Sequence, residues 1–118
     1  MFRFAPDAEV YLHREPVDFR KQIDGLAVLV QMAMELDPLR EALFVFTNRR
    51  RDRIKILWWD RTGFCLWLKR LEKDRFFWPA LDAGDVVTLD AEHLHWLLEG
   101  FDVFRMPPHQ RLAYGAVT

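Results

Sequence analysis

The chain has 118 residues and a formal net charge of −1, with 51% hydrophobic and 14% aromatic residues. These values are typical of one globular domain with a sizeable core, and they exclude a disordered chain. The single cysteine, Cys65, excludes an internal disulfide bond and a multi-cysteine zinc site, and a lone thiol suits a reducing compartment.

The N-terminal part of the chain predicts a short strand followed by a long helix. Residues 9–13 (EVYLH) alternate in the way that a strand does. Apolar residues then recur at helical spacing from 18 to 36, and Asp18 is the candidate N-cap of this helix. Pro38 is expected to stop the helix, because proline disfavours the helical conformation of the residue before it.

The middle of the chain predicts an antiparallel meander of three strands. The three β-rich runs lie at 43–47, 53–59 and 64–71, and the polar turns NRRRD and DRTG separate them. The DRTG turn pairs odd positions of the second run with even positions of the third. One face of this hairpin is then almost wholly apolar. We expect Ile56 and Trp58, on that face, to be buried beneath the first helix.

A second helix is predicted at 89–99, after a loop that contains a candidate short strand. Asp90 is its candidate N-cap and Gly100 its C-terminal stop. The predicted fold class is α+β, with a small antiparallel β-sheet, mostly a meander, packed on one face by two helices. Residues 1–108 are expected to form this single domain, and residues 109–118 a loosely ordered C-terminal tail.

Charge is distributed unevenly along the chain. Residues 49–75 carry ten basic and four acidic groups, a net charge of +6, whereas residues 76–102 carry six acidic and no basic groups. The stretch TNRRRDRIKILWWD (47–60) sets four arginines and a lysine within seven residues and then has two adjacent tryptophans. Phosphate binding needs several cations within reach of one backbone. A nucleic-acid surface is therefore one interpretation, and a solvated hairpin tip is the other.

Strand alternation divides this stretch by face. Ile54, Ile56 and Trp58 fall on the apolar face, and the basic side chains extend from the turn as an exposed edge with Trp59 at its far end, where it could stack on a base. The candidate nucleic-acid-binding residues are Arg49, Arg50, Arg51, Arg53, Lys55, Trp59, Lys69 and Arg70, with Lys73 nearby.

Two more cations at the start of the first helix are secondary candidates. Arg20 and Lys21 would lie against phosphate, helped by the positive end of the helix. The other interpretation is a capped helix with intrahelical charge pairs, of which Arg20–Asp24 is one.

Three segments carry a resemblance to a known family: VDFRKQIDGLAVLV (17–30), LFVFTNRRRDRIKILWWDRTGFCLWLKRLEKDRFFWP (43–79) and LLEGFDVFRMP (97–107). Over roughly residues 9–108 the chain resembles the small TnpB-type accessory proteins of the insertion sequence 66 family. These are distinct from the RNA-guided nucleases that share the TnpB name. The resemblance implies an accessory role in DNA transposition beside a separate transposase. Family members usually have a glycine in the turn formed here by residues 48–52, and a threonine in place of Val17.

Three hypotheses for the mechanism remain open. The leading one is nucleic-acid binding, with DNA and the transposase of the same element as partners. The alternative is a protein-interaction adaptor that recruits or regulates the transposase. A divalent-metal nuclease has little support. Asp52 and Asp60 could hold an ion only with a third carboxylate brought in by a helix, and Glu99 is the only plausible candidate. His93 and His95, two apart on a helix, cannot chelate one ion together. No catalytic residue, metal or cofactor is expected.

Membrane insertion and secretion are not expected. No apolar run approaches the roughly 18 residues of a membrane span. The first ten residues lack the apolar stretch of a signal peptide. A soluble, cytoplasmic protein is therefore predicted.

Overall fold

Five β-rich runs pair into one sheet in the structure, a computed structural model that describes residues 3–105. The elements in chain order are β1 (Glu9–His13), α1 (Ile23–Met32), β2 (Ala42–Thr47), β3 (Arg53–Asp60), β4 (Gly63–Arg70), β5 (Val86–Leu89) and α2 (Ala91–Leu98), with short 3₁₀ helices at Leu81–Ala83 and Val103–Arg105. The strand order across the sheet is β4-β3-β2-β1-β5. The predicted tail, residues 109–118, lies outside the described residues.

The strands β2, β3 and β4 form the predicted antiparallel meander. In the second hairpin Trp59 lies opposite Phe64 and Arg53 opposite Arg70, so odd positions pair with even positions as predicted. Beyond the meander, β1 pairs in parallel with β2 and antiparallel with β5. The sheet is mostly antiparallel, and the α+β class is confirmed.

The two helices pack on opposite faces of the sheet, so the prediction of a single covered face is wrong. Leu26 of α1 packs in one core cluster with Phe44. Leu94 of α2 packs in the other with Val45 and Ile56. The reason lies in β2, which is buried at all six positions of the run ALFVFT. A strand that is apolar on both faces needs cover on both.

The apolar face of the β3–β4 hairpin therefore lies under α2 and not under α1. Ile56 is fully buried there, as predicted, but it packs with residues of the second helix. Trp58 is only half-buried, near the end of β3, and its ring packs edge-on against Phe4 with centroids 5.5 Å apart. Trp58 is thus on the predicted face but is only partly buried, and its expected burial beneath the first helix is wrong.

The first helix begins at Ile23, with Gln22 as its N-cap, and not at Asp18. Asp18 closes a turn instead, because its carboxylate accepts a hydrogen bond from the backbone N–H of Arg20 at 2.9 Å. The same carboxylate binds the guanidinium of Arg20 at 2.6 Å, so Arg20 pairs with Asp18 and not with Asp24. Aspartate side chains that bond nearby backbone groups compete with helix formation, which explains the later start.

The second helix has the predicted cap and stop. The carboxylate of Asp90 accepts a hydrogen bond from the backbone N–H of His93 at 2.7 Å. Gly100 follows the helix with φ 99°, a left-handed conformation that glycine adopts without steric strain. The helix is therefore fixed at both ends by local sequence.

Removing this cap by Asp90→Ala is expected to lower the free energy of unfolding by about 1–2 kcal/mol. The helix N-terminus loses its acceptor, and the buried imidazole of His93, whose Nδ1 lies 2.6 Å from the same carboxylate, loses its partner. Urea denaturation followed by tryptophan fluorescence measures the change. Glu92→Ala, an exposed change in the same helical turn, should matter by less than about 0.5 kcal/mol. Equal stability of the two variants would contradict the capping role.

Candidate nucleic-acid interface

The turn between β2 and β3 is held in place by its own polar side chains. The amide oxygen of Asn48 accepts hydrogen bonds from the backbone N–H groups of Asp52 and Arg53, at 3.2 and 3.1 Å. The amide nitrogen of Asn48 donates to the carboxylate of Asp52 at 2.6 Å. Arg51 adopts φ 60°, the left-handed conformation in which glycine is least strained. The turn is therefore tight, although it lacks the glycine that is usual in the family that the sequence resembles.

Two other segments of the chain lie against this turn. The backbone hydrogen bonds that hold them are Leu71 N to Asp52 O (2.8 Å), Phe76 N to Arg51 O (2.7 Å) and Val17 N to Thr47 O (2.9 Å). The segment after β4 and the segment before α1 consequently reach the same end of the sheet as the arginine turn. Cations that are distant in sequence are brought together there.

The cations at this end that form no ion pair within residues 3–105 are called the basic tip: Arg49, Arg50, Arg51, Arg53, Lys73 and Arg75. All are exposed except Arg51, which is half-buried. Arg75 was not among the predicted residues. Its place depends on the backbone hydrogen bond between Phe76 and Arg51, for which the local sequence carries no signal. Arg70 also lies near the tip, but Glu72 binds its guanidinium at 2.8 Å.

The carboxylate of Asp52, in the arginine turn, is influenced by the charges of the basic tip. The hydrogen bond from Asn48 and, to a smaller extent, the charges of Arg50 and Arg53 hold the pKa of Asp52 below its ordinary value. Asp52 is therefore ionised at neutral pH and offsets part of the local positive charge. The excess of cations leaves a positive potential that favours an anionic partner.

Lys55 is not part of an exposed basic edge, and that prediction is wrong. Its side chain is 4% exposed, and its ammonium donates to the backbone carbonyls of Phe19 at 2.9 Å and Lys21 at 2.7 Å. Burial first, and then the charge of Arg53, lower the pKa of Lys55. The strand alternation placed it correctly on one face with Arg53, but the segment before α1 crosses over it. Lys55 ties that segment to β3.

The ammonium of Lys69 is also bound within the protein. Its ammonium donates to the backbone carbonyl of Leu98 at 2.8 Å, at the C-terminal end of α2. A cation at this end of a helix is favourable, because the last carbonyl groups are unsatisfied and carry partial negative charge. Lys69 therefore lies on the α2 face of the sheet, apart from the basic tip.

Trp59 lies at the other end of β3 from the arginines, roughly 20 Å from Arg53 at the usual rise of a strand. Its ring packs edge-on against Phe64, with centroids 5.1 Å apart. The cleft beside it is lined by two carboxylates, those of Glu41 and Asp60, and by one cation, Arg61, so acidic groups outnumber basic ones. A phosphate backbone is disfavoured by such surroundings, so Trp59 and the arginines do not form one surface.

The secondary candidates, Arg20 and Lys21, do lie beside the basic tip. The carbonyl of Lys21 is bound by Lys55, and Arg49 lines a common cleft with residues 15–18. The charge of Arg20 is largely taken up by Asp18, whose pKa the hydrogen bonds from Arg20 lower to about 2. Lys21 is exposed and forms no ion pair in the described part of the chain.

Residues 3–105 contain no group of three His, Cys, Asp or Glu side chains placed to hold one metal ion. Asp52 directly precedes β3 and Asp60 ends it, so the two carboxylates lie at opposite ends of the sheet. The histidines of α2 are both buried and have structural contacts. His95 donates from Nδ1 to the carbonyl of Ala91 and accepts the N–H of Phe4 at Nε2. This arrangement offers no support for the nuclease hypothesis.

Within residues 3–105, the helices are all too short or too polar to cross a bilayer. A family model described as "IS66 Orf2 like protein" matches residues 8–108. The chain is 36% identical to "Uncharacterized protein y4hO" of Sinorhizobium fredii over 96 residues, 81% of this chain and 83% of that protein. It is also 36% identical over 92 residues to "Uncharacterized protein y4jC" of the same organism, covering 78% of each chain. No solved structure matches it.

Proposed function

Because the chain belongs to the IS66 Orf2-like family of accessory proteins in IS66 transposition, we propose that it serves transposition by binding DNA through the basic tip. The observation that carries this proposal is the set of cations at one end of the sheet without ion pairs in the described part of the chain. A phosphate backbone carries a row of negative charges and so can contact several of these cations at once.

The construction of the tip also suits DNA. Its turn is held by three hydrogen bonds of Asn48, so the arginines project from a backbone that need not be ordered on binding. Arginine also binds phosphate with two parallel hydrogen bonds, which gives geometric selectivity as well as charge. The cations of the basic tip form no ion pair in the described part of the chain, so binding of phosphate there breaks none.

The alternative function is an adaptor for the transposase, and one observation favours it. Val28 and Met32, one helical turn apart on α1, are 55% and 73% exposed. An exposed apolar pair on a helix is a feature of surfaces that bind other proteins. The experiment that separates the two functions must therefore measure DNA affinity and transposition in the same variants.

Changing Arg49, Arg50 and Arg51 together to alanine is expected to weaken DNA binding and abolish transposition, while the fold stays intact. Arg49 and Arg50 are exposed and Arg51 is half-buried, and turn residues whose side chains form no buried contact usually contribute less than about 0.5 kcal/mol each to stability. The slope of log affinity against log salt concentration should flatten by about one unit for each phosphate that the variant no longer neutralises. Fluorescence anisotropy of labelled duplex DNA over a salt series measures the affinity and its slope.

The matched control is a triple change to alanine at the exposed Arg3, Arg40 and Arg61, which removes the same charge away from the tip. This variant should keep nearly all of its DNA affinity. If the tip variant binds DNA normally but fails in transposition, the tip serves a protein partner and the adaptor function holds. If it also supports transposition, the arginines are a solvated turn only.

A further inference from the structure

We propose that Phe77 is a stacking surface beside the basic tip, and that the ligand of the tip is nucleic acid with unpaired bases, that is, a single strand. This inference rests on the proposed function and specifies its substrate. No sequence pattern pointed to Phe77, because its place beside the arginine turn depends on a contact between segments that are distant in sequence.

Backbone geometry brings Phe77 to the tip. The N–H of Phe76 donates to the carbonyl of Arg51 at 2.7 Å, and Phe77 is the next residue, about 3.8 Å further along the chain. Phe76 and Trp78, on either side, are buried at 2% and 9% exposure. Phe77 between them is 47% exposed, so it points away from the core. Its neighbour Arg75 is one of the cations of the tip.

The segment that carries Phe77 is anchored on both sides. Phe76 is fixed by its bond to Arg51, and the indole N–H of Trp78 donates to the carbonyl of Arg14 at 2.6 Å. Pro79, which follows, is buried. The phenyl ring is thus presented from a held backbone, and little conformational freedom is lost when a flat ligand stacks on it.

The position of Phe77 sets it apart from the other exposed phenylalanine of residues 3–105. Phe101, 61% exposed, lies between Glu99 and Asp102 in the acidic part of the chain. Phe77 follows Asp74 and Arg75 in the chain, and its neighbour Phe76 is hydrogen-bonded to Arg51 of the basic tip. An exposed aromatic ring on a segment held beside exposed cations is the combination that single-strand binding uses, because phosphates meet the cations and a base face meets the ring.

Unpaired bases are the part of this ligand that Phe77 selects. In a duplex each base is covered by its neighbours in the stack, and a side chain reaches a base face only after unstacking, which is unfavourable. A single strand offers its base faces freely. The tip cations contact phosphate in both forms, so only the single strand gains from the ring.

The test compares labelled oligothymidine with duplex DNA of the same length by fluorescence anisotropy over a salt series. Phe77→Ala is expected to weaken binding of the single strand about 5- to 100-fold. Duplex affinity and both salt slopes should stay unchanged, because every cation that neutralises phosphate is retained. Phe77→Trp, which retains an aromatic face, should bind the single strand at least as tightly as the wild type.

Phe101→Ala is the matched control and should leave both affinities unchanged. If Phe77→Ala binds the single strand as the wild type does while the triple arginine variant is weakened, this inference is overturned and the proposed function stands. An equal loss for single strand and duplex also overturns it, since the ring then does not select unpaired bases. If the wild type binds neither single-stranded nor duplex DNA, both this inference and the proposed function are wrong.

Discussion

Replacing Lys55 with methionine is expected to lower the free energy of unfolding by about 2–4 kcal/mol. Methionine fills a similar volume, so the change removes the ammonium without opening a large cavity. Two hydrogen bonds from a charged donor disappear, those to the carbonyls of Phe19 and Lys21. Such bonds contribute roughly 1.5–3 kcal/mol each, offset by the desolvation of the buried ammonium that the variant avoids. Urea denaturation of the two proteins measures the difference.

The matched control is Lys73→Met, the same change at an exposed lysine of the basic tip. It should alter stability by less than about 0.5 kcal/mol. Lys73→Met should weaken DNA binding more than Lys55→Met does, because Lys73 faces solvent and Lys55 does not. A Lys55→Met protein as stable as Lys73→Met would show that the buried ammonium does not hold the segment before α1.

The wild type and Lys55→Met have different expected pH dependences. The pKa of Lys55 is lowered in the folded state, by burial first and by Arg53 second, from its ordinary value of 10.5. Between the folded pKa and 10.5 the unfolded chain binds more protons than the folded chain, so stability rises with pH. This rise should be present in the wild type and absent from Lys55→Met. Tyr11, whose pKa is raised by its hydrogen bond to Glu9, acts in both proteins and cancels in the comparison.

The β3–β4 hairpin was predictable from the sequence because its information is local. The DRTG turn sets the register, and the alternation of β3 separates Ile54 and Ile56 from Arg53 and Lys55. The cap at Asp90 was predictable for the same reason. What local sequence did not contain is which helix covers which face. β2 has no alternation, so nothing in it distinguishes a face for α1 from a face for α2.

The candidate site was predictable in its turn and not in its surroundings. Arg49, Arg50 and Arg53 are exposed, as a polar turn between strands indicates. The fate of Lys55 was decided by residues 19–21, more than thirty positions earlier, whose carbonyls lie over it. Arg75 joins the tip through the bond between Phe76 and Arg51. Each of these contacts links distant segments, and one sequence carries no signal for such pairs.

Phe44→Ala is expected to lower the free energy of unfolding by about 3–5 kcal/mol, a larger loss than that expected for Lys55→Met. Phe44 lies on β2 and is 0% exposed, packed in one cluster with Leu26 and Val30 of α1. Its ring also stacks near Tyr11, with centroids 6.0 Å apart. The change removes buried apolar surface and leaves a cavity between the helix and the sheet.

Leu68→Ala is the matched control for that change, because Leu68 lies on the same face of the sheet, at the outer strand, and is 55% exposed. It should lower stability by no more than about 1 kcal/mol, since little surface is newly uncovered. Guanidinium denaturation measures both variants. If Phe44→Ala leaves too little folded protein, Phe44→Leu should show a smaller loss in the same direction. Equal losses at Phe44 and Leu68 would mean that α1 does not cover this face, and the arrangement of the two helices on opposite faces would then be wrong.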